Sequence, residues 1–186
     1  MTASAAPVLV AYASKHEATA EIAQRIAAAM REAGCAAEAR PASEVRDLSG
    51  YRAVVLGSAV YANRWRPAAR TFARRHVRAL RDMPVWLFSS GPLGSVDEHP
   101  TAPMPPLAER LMARLDAREC VMFGGRVPLD PGNFIERAMA KNTPPERSDA
   151  RDWPAIEAWA RGVAAQLDAE AQLPSGGRTA PIATRG

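Results

Sequence analysis

Cysteine is nearly absent: the 186 residues hold two, Cys35 and Cys120, far apart and outside any CxxC spacing. That spacing suggests neither a zinc site nor a redox dithiol, and packed, reduced thiols are the expectation. Long apolar runs are missing as well. No stretch reaches the roughly 18 uninterrupted apolar residues of a membrane span, and the leading MTASAAP lacks a basic segment followed by an apolar one. A cytoplasmic protein with at most peripheral membrane contact is therefore expected. Neither GxxxxGK[ST] nor GxGxxG follows the first apolar run, and no GxSxG occurs anywhere, which argues against a triphosphatase, a dinucleotide enzyme and a hydrolase elbow. A phospho-receiver would carry acids at the ends of its first and third strands, where Ala13 and Ser58 stand.

What is present suits one core. At 47% hydrophobic residues, a chain of this length buries one substantial interior and is short for two. We read residues 7–170 as one domain and 171–186, with its "PSGGRTAPIATRG", as a disordered tail. The formal charge of +4 comes largely from arginines, as in "RTFARRHVRALR". Phe72 in that run falls on the inward stripe, so a solvated helix face accounts for the arginines and nucleic-acid binding is not expected. Weak attraction to an anionic lipid or an acidic partner protein stays open.

Apolar β-rich runs fall at Val8 to Ala13, Ala53 to Ser58, Val85 to Ser89 and Cys120 to Phe123, with a weaker one at Cys35 to Arg40. Helical periodicity fills the gaps. Ile22, Ala23, Ile26 and Met30 share a stripe that Thr19 could cap and Gly34 ends. A second helix starts near Pro67 and turns Ala69, Phe72, Ala73, His76 and Leu80 inward, and a third carries Leu107, Leu111 and Leu115. The last begins at Asp152, with Pro154 in its first turn and Ile156, Trp159, Ala160, Val163 and Leu167 at helical spacing. A short helix is also predicted at Asn133 to Lys141, and Ser95 to Pro106 reads as a loop.

Strands apolar on both faces, separated by helices, imply an α/β fold: a doubly wound five-stranded parallel sheet in the order 2-1-3-4-5 with helices on both faces. Its two cysteines would then lie on opposite edges, beyond disulfide reach. The same topology puts a ligand outside the carboxyl ends of strands one, three and four. After the first comes "SKHEAT", where Ser14 and Thr19 offer hydroxyls and the N–H groups opening the next helix could cradle a phosphate, or simply be capped. After the third comes "GSAVYANRW", where Gly57, Ser58 and Ala59 keep the chain slim beside a flat ring. Tyr61 and Trp65 either stack on that ring or anchor the loop. After the fourth comes "SSGPLGS", whose Ser89, Ser90 and Gly91 suit the polar edge of a heterocycle or form a plain turn. Together the three loops favour a planar, phosphate-bearing cofactor.

These segments, with "PVWLFSSGP" and "RDWPAIEAWA", resemble the flavodoxin superfamily, and within it flavodoxin-domain proteins similar to the flavodoxin-like, quinone-dependent protoporphyrinogen oxidases. The resemblance implies non-covalent FMN. Ser14, Lys15, His16, Glu17, Ala18 and Thr19 would surround its phosphate. Ser58, Ala59, Val60 and Tyr61 would border the isoalloxazine, and Ser89, Ser90, Gly91 and Pro92 would meet its pyrimidine edge. Glu17 stands where the family usually has Gly, so its backbone angles and its charge matter there. No metal site and no protein nucleophile is expected, since the chemistry would be the flavin's. Of the histidines, His16 could pair with the phosphate and His76 reads as structural; His99 has no assigned role. The implied activity passes reducing equivalents from an organic substrate, porphyrinogen-like, to a quinone or similar acceptor, with a redox partner protein as a further possibility. The alternatives are a flavodoxin-type electron carrier and a domain that has lost FMN.

Overall fold

A computed structural model describes residues 6–91, 104–127 and 148–172, together with Arg137 and Lys141. Strand β1 (Val8–Ala13) opens the chain, followed by helix α1 (Ala18–Glu32) and strands β2 (Ala37–Pro41), β3 (Ala53–Tyr61) and β4 (Arg64–Trp65). Helices α2 (Pro67–Arg75) and α3 (Val77–Arg81), strand β5 (Val85–Ser90), helix α4 (Pro106–Leu115) and strand β6 (Glu119–Phe123) come next. Helix α5 (Trp153–Gln172) ends the described chain, two residues past the boundary expected at 170. The tail from 173 onward and His99 lie outside the described residues. So does the helix expected at 133–141, apart from Arg137 and Lys141.

Five strands pair in parallel in the spatial order β2-β1-β3-β5-β6, the 2-1-3-4-5 arrangement once the short β4 is set aside. The sixth strand corrects the expectation: β4 pairs antiparallel with the end of β3, Val60 opposite Trp65 and Tyr61 opposite Arg64. Successive side chains on a strand face opposite ways, and the two cores divide on that basis. Val8, Val10, Val55, Trp86 and Phe88 pack under α1 and α5 through Ile22, Ile26, Ile156 and Val163. Leu9, Ala11, Val54, Leu56 and Leu87 pack under α2 to α4 through Phe72, Leu80, Leu111 and Leu115. Alternate burial of β2 and its closing Pro41 mark it as an edge strand. Cys35, just before β2, and Cys120, in β6 at the opposite edge, are not disulfide-bonded. Burial pushes the Cys120 thiol up to about 11, which keeps it protonated and inert near neutral pH.

Two helix expectations need correction. Thr19 does not cap α1: the cap position is Glu17, and Thr19 sits inside the first turn, 2% exposed. The helix predicted from Pro67 through Leu80 breaks at His76, whose φ of −104° and ψ of 14° leave the helical basin. Its buried imidazole packs on Phe72 at 4.8 Å and brings Nε2 to 3.4 Å from the Val45 carbonyl oxygen. That structural anchoring accounts for the kink. At the other helix ends the reading holds: Gly34 follows α1 with φ +86°, and Asp152 Oδ1 accepts the Ala155 N–H at 3.0 Å before α5.

The β3–β4 turn is tight. Ala62 and Asn63 join the paired Tyr61 and Arg64 with φ of 48° and 57°, the two-residue hairpin geometry that requires positive φ at both central positions. Asn tolerates that region; Ala carries the Cβ penalty. Ala62→Gly is expected to raise stability by about 0.5–1 kcal/mol, net of the glycine's entropy in the unfolded chain, read as a higher urea midpoint with an unchanged slope.

Candidate functional site

Register across the sheet brings three strand ends level. Ala13 of β1 lies beside Ser58 of β3, Ser58 beside Ser89 of β5, and Ala59 beside Ser90. The segments that leave those ends therefore share one carboxyl-end rim, where a parallel sheet of this order places its ligand.

The first segment runs from Ser14 into α1. Ser14 Oγ donates to the carbonyl of His16, closing a small turn. Glu17 takes ordinary right-handed angles (φ −57°, ψ −15°), offers no side-chain cap and is exposed. Both halves of the Glu17 question are thus answered: its backbone is unstrained and its carboxylate faces solvent. The N–H of Glu21 is the first to bond back into the helix, to Glu17 O at 2.9 Å. The N–H groups of Ala18, Thr19 and Ala20 find no acceptor among the described residues, the ordinary situation of a helix start awaiting a partner. Thr19, in the first turn, is 2% exposed. His16 is half-buried and Lys15 exposed.

The second segment differs from expectation. Ser58, Ala59, Val60 and Tyr61 belong to strand β3 rather than to a loop. Gly57 is not slim for a ligand's sake, because the Phe88 ring fills its space: a Cβ built on Gly57 would lie 1.9 Å from Phe88 Cζ. The buried Ser58 hydroxyl donates to the Ala59 carbonyl and accepts the Arg66 backbone N–H, each at 2.9 Å. Trp65 is an anchor: 6% exposed, it donates from Nε1 to Ser89 Oγ at 2.8 Å. Tyr61 is half-buried at the rim, and two cations face its ring, Lys15 Nζ and Arg66 Cζ, each 5.8 Å from the centroid. Lys15 thereby links the first segment to the second.

In the third segment the Ser89 hydroxyl is engaged by Trp65, and the Gly91 N–H donates to Phe123 O at 3.0 Å. Ser90 is 5% exposed. Pro92 lies outside the described residues. Two glycines after β6 hold this end of the sheet together. A Cβ on Gly125 would lie 1.9 Å from Gly91 O, and one on Gly124 1.9 Å from Ala150 O. Gly125 O also accepts the Ala150 N–H at 2.9 Å.

Sequence reasoning missed the ionic cluster beside the first turn of α1. Glu21 accepts Nη2 of Arg126 at 3.0 Å and Nη1 of Arg151 at 2.5 Å. Arg151, its side chain only 4% exposed, also donates Nε to Asp149 at 2.7 Å and Nη2 at 2.5 Å. Its guanidinium lies 4.6 Å from the Trp153 ring centre, which Arg25 also faces at 5.6 Å. The hydrogen bond from Arg151 holds both the Glu21 and the Asp149 carboxyls below their ordinary range, and the Asp149 carboxylate raises Arg151 in return. Glu21 is therefore neutralised by two guanidiniums, and the opening of α1 keeps its positive end. These partners lie 105 and 130 positions from Glu21, so no local pattern signals them. Among the described residues no three His, Cys, Asp or Glu gather as metal ligands would, and no helix is long and apolar enough to cross a membrane.

Comparison with known proteins fits this geometry. A family model described as "Flavodoxin domain" matches residues 9–151. No curated protein sequence matches the chain. Among solved structures, the rubredoxin oxygen:oxidoreductase of the anaerobe Desulfovibrio gigas superposes with a TM-score of 0.61 at 15% identity, over 89% of this chain and 37% of that one. This chain thus spans little more than a third of that protein. A flavodoxin from the domain Archaea (TM-score 0.58, 12% identity) is matched over 87% of this chain and 99% of its own. A single-site variant of the Pseudomonas aeruginosa flavodoxin (TM-score 0.58, 15% identity) is matched over the same shares. At such identities the structural likeness is one of fold.

Proposed function

The chain belongs to the flavodoxin domain family, and on that premise we propose that it holds FMN non-covalently and works as an FMN-dependent oxidoreductase. The observation that carries this reading is the start of α1. The N–H groups of Ala18, Thr19 and Ala20, without an acceptor among the described residues, the buried Thr19, the positive helix end and the nearby Lys15 suit a dianionic phosphate. The residues therefore fit the group. Ser14 to Thr19 would hold the phosphate, with Ser14 shaping the turn through His16. Tyr61 offers a ring at the rim. Ser58 and Ser89 spend their hydroxyls on Arg66 and Trp65, so they act as supports, and Ala59, Val60 and the segment from Ser90 to Pro92 would border the heterocycle. Bound FMN would supply hydride or electron transfer; the chain supplies placement and local charge.

The reading that the domain has lost FMN rested on Glu17, and its solvent-facing carboxylate and unstrained angles remove the reason for it. We expect the purified chain to take up FMN with a Kd of about 1 µM or tighter, about 8 kcal/mol, followed by quenching of flavin fluorescence. Glu17→Gly should bind at least as tightly, with any gain fading in high salt; markedly weaker binding would contradict the assignment. Thr19→Val, close in shape, should lose about tenfold in affinity, as removal of one charge-assisted hydrogen bond does.

On the resemblance, the finer proposal is that reducing equivalents pass from an organic substrate, porphyrinogen-like, to a quinone or similar acceptor. Anaerobic reduction followed by mixing with a menaquinone analogue, or with a porphyrinogen in the reverse sense, tests it. Rapid turnover of either small molecule supports the enzyme, whereas reoxidation by partner proteins alone supports an electron carrier.

A further inference from the structure

Charge in this chain is sharply segregated. The 34 residues from Leu48 to Arg81 contain eight arginines and none of the chain's 20 Asp and Glu, so this stretch holds +8 while the remainder is net −4 against a total of +4. Arg52 is turned to other work, reaching Cys35 Sγ at 3.0 Å and Asp168 at 3.6 Å. The other seven, from Arg64 to Arg81, follow one another along β4, α2 and α3, and none pairs with a carboxylate of a described residue. All but the half-buried Arg66 are exposed.

Local structure explains only part of the row. Arg66, Arg70 and Arg74 stand four apart, so like charges repel along the helix surface. Arg66 is the cap of α2 and Arg70 lies one turn in, with no acid in the first turn, which sets cations against the positive end of the dipole. Arg74 and Arg75 in the last turn of α2, and Arg78 and Arg81 in the last turn of α3, are favourably placed, and Arg81 Nε donates to the Arg114 carbonyl at 3.1 Å; Arg64, Arg66 and Arg70 have no such account. Nor is the row remote from the proposed cofactor site: it includes Arg66, whose guanidinium faces Tyr61.

We propose that this face is the docking surface for an acidic protein that carries its own redox centre and exchanges electrons at the adjoining site. The partner's redox character rests on the proposed FMN site; the charge argument does not. An arginine row carried on helices offers forked donors at regular spacing for surface carboxylates, which gives orientation as well as attraction. It runs about 20 Å at 1.5 Å per helical residue, the span of a standard protein interface. A bilayer fits less well, because interfacial binding wants apolar side chains beside the cations. Here Phe72 and Leu80 are buried, and Met104 is the one large exposed hydrophobic among the described residues. Nucleic acid would want exposed aromatics for stacking or a groove, and Trp65 and Phe72 are buried.

The test is binding of the full chain, with and without FMN, to a labelled plant-type [2Fe–2S] ferredoxin as the acidic probe and a lysine-rich c-type cytochrome as the basic one, read by fluorescence anisotropy. The ferredoxin should bind at about 50 mM salt and lose at least about tenfold in affinity by about 500 mM, while the cytochrome stays free. Combined Arg70→Gln, Arg74→Gln and Arg78→Gln should weaken the ferredoxin about tenfold, and the matching Glu triple should abolish its binding, with circular dichroism confirming the fold of each. Arg161→Glu, on α5 away from this face, should change nothing. Equal binding of both probes, full affinity in the triple variants, or tighter binding to phosphatidylglycerol vesicles or a DNA duplex than to the ferredoxin would each overturn the proposal. Failure of FMN uptake alone, seen by absorbance, would instead strike the cofactor reading.

Discussion

Gly57→Ala should destabilise the protein by about 3 kcal/mol, the upper end of overpacking costs in a core that cannot relax. For a chain of this size that is roughly a 10 °C drop in Tm. The cause is a single approach. Gly57 of β3 lies directly opposite Phe88 of β5, and a Cβ there would sit 1.9 Å, 2.0 Å and 2.5 Å from Phe88 ring carbons. Phe88 is fully buried, with the Phe123 ring centre 6.1 Å from its own, and Gly57 is held in a strand paired on both flanks. Neither partner can retreat cheaply. Phe88→Leu in the same chain should recover part of the loss, because the smaller side chain frees that space; additive destabilisation by the two changes would show that the contact is not the cause. The damage would extend to the site, since Ser58 and Ala59 follow Gly57 directly.

Arg151→Ala should cost about 2 kcal/mol, less than the 3–5 kcal/mol of breaking a fully buried pair, because the carboxylates left behind remain partly hydrated. Glu21 and Asp149 are 34% and 41% exposed at the side chain. The pH dependence gives the effect its signature. Both carboxyls have folded-state pKa values below their ordinary 4.5 and 3.8. Their contribution is therefore complete above the ordinary values and fades as pH falls through the lowered ones. Parent and variant should differ most above the ordinary carboxyl values, near neutral pH, and the gap should narrow as the pH falls through the lowered ones. A gap that stays constant over that fall would mean that Arg151 acts through packing on Trp153 alone. FMN affinity should fall in the same variant at low salt, since the Glu21 charge at the mouth of α1 would lose one of its two guanidiniums.

The layout of this fold was legible wherever periodicity speaks for itself. Val8 to Ala13 and Val85 to Ser89 alternate between two buried faces and have the apolar character of central strands, and Ile22, Ala23, Ile26 and Met30 could serve only one helix face. The hairpin was not legible, because its turn uses Ala at a left-handed position where the usual signal is Asn-Gly or Gly; "AVYANRW" consequently read as loop. The break at His76 depends on Val45, 31 positions away. At the site, residue types pointed to the rim where the strand register brings Ala13, Ser58 and Ser89 level, yet they did not reveal that the Ser58 and Ser89 hydroxyls are engaged by Arg66, the cap of α2, and by Trp65, in a short strand that composition did not reveal. The Glu21 cluster was invisible because ion pairs across the sheet's end leave no spacing in the chain.

The seating of Trp65 gives the molecule a built-in optical gauge. Its indole is shielded from water and bound to one neutral hydroxyl, so its emission should lie toward the blue while the hairpin is docked on β5 and shift red once solvent reaches it. Because that hairpin also presents Tyr61, a chain with Trp86, Trp153 and Trp159 replaced by Phe would report through Trp65 alone, without any label, whether the wall of the proposed pocket is closed.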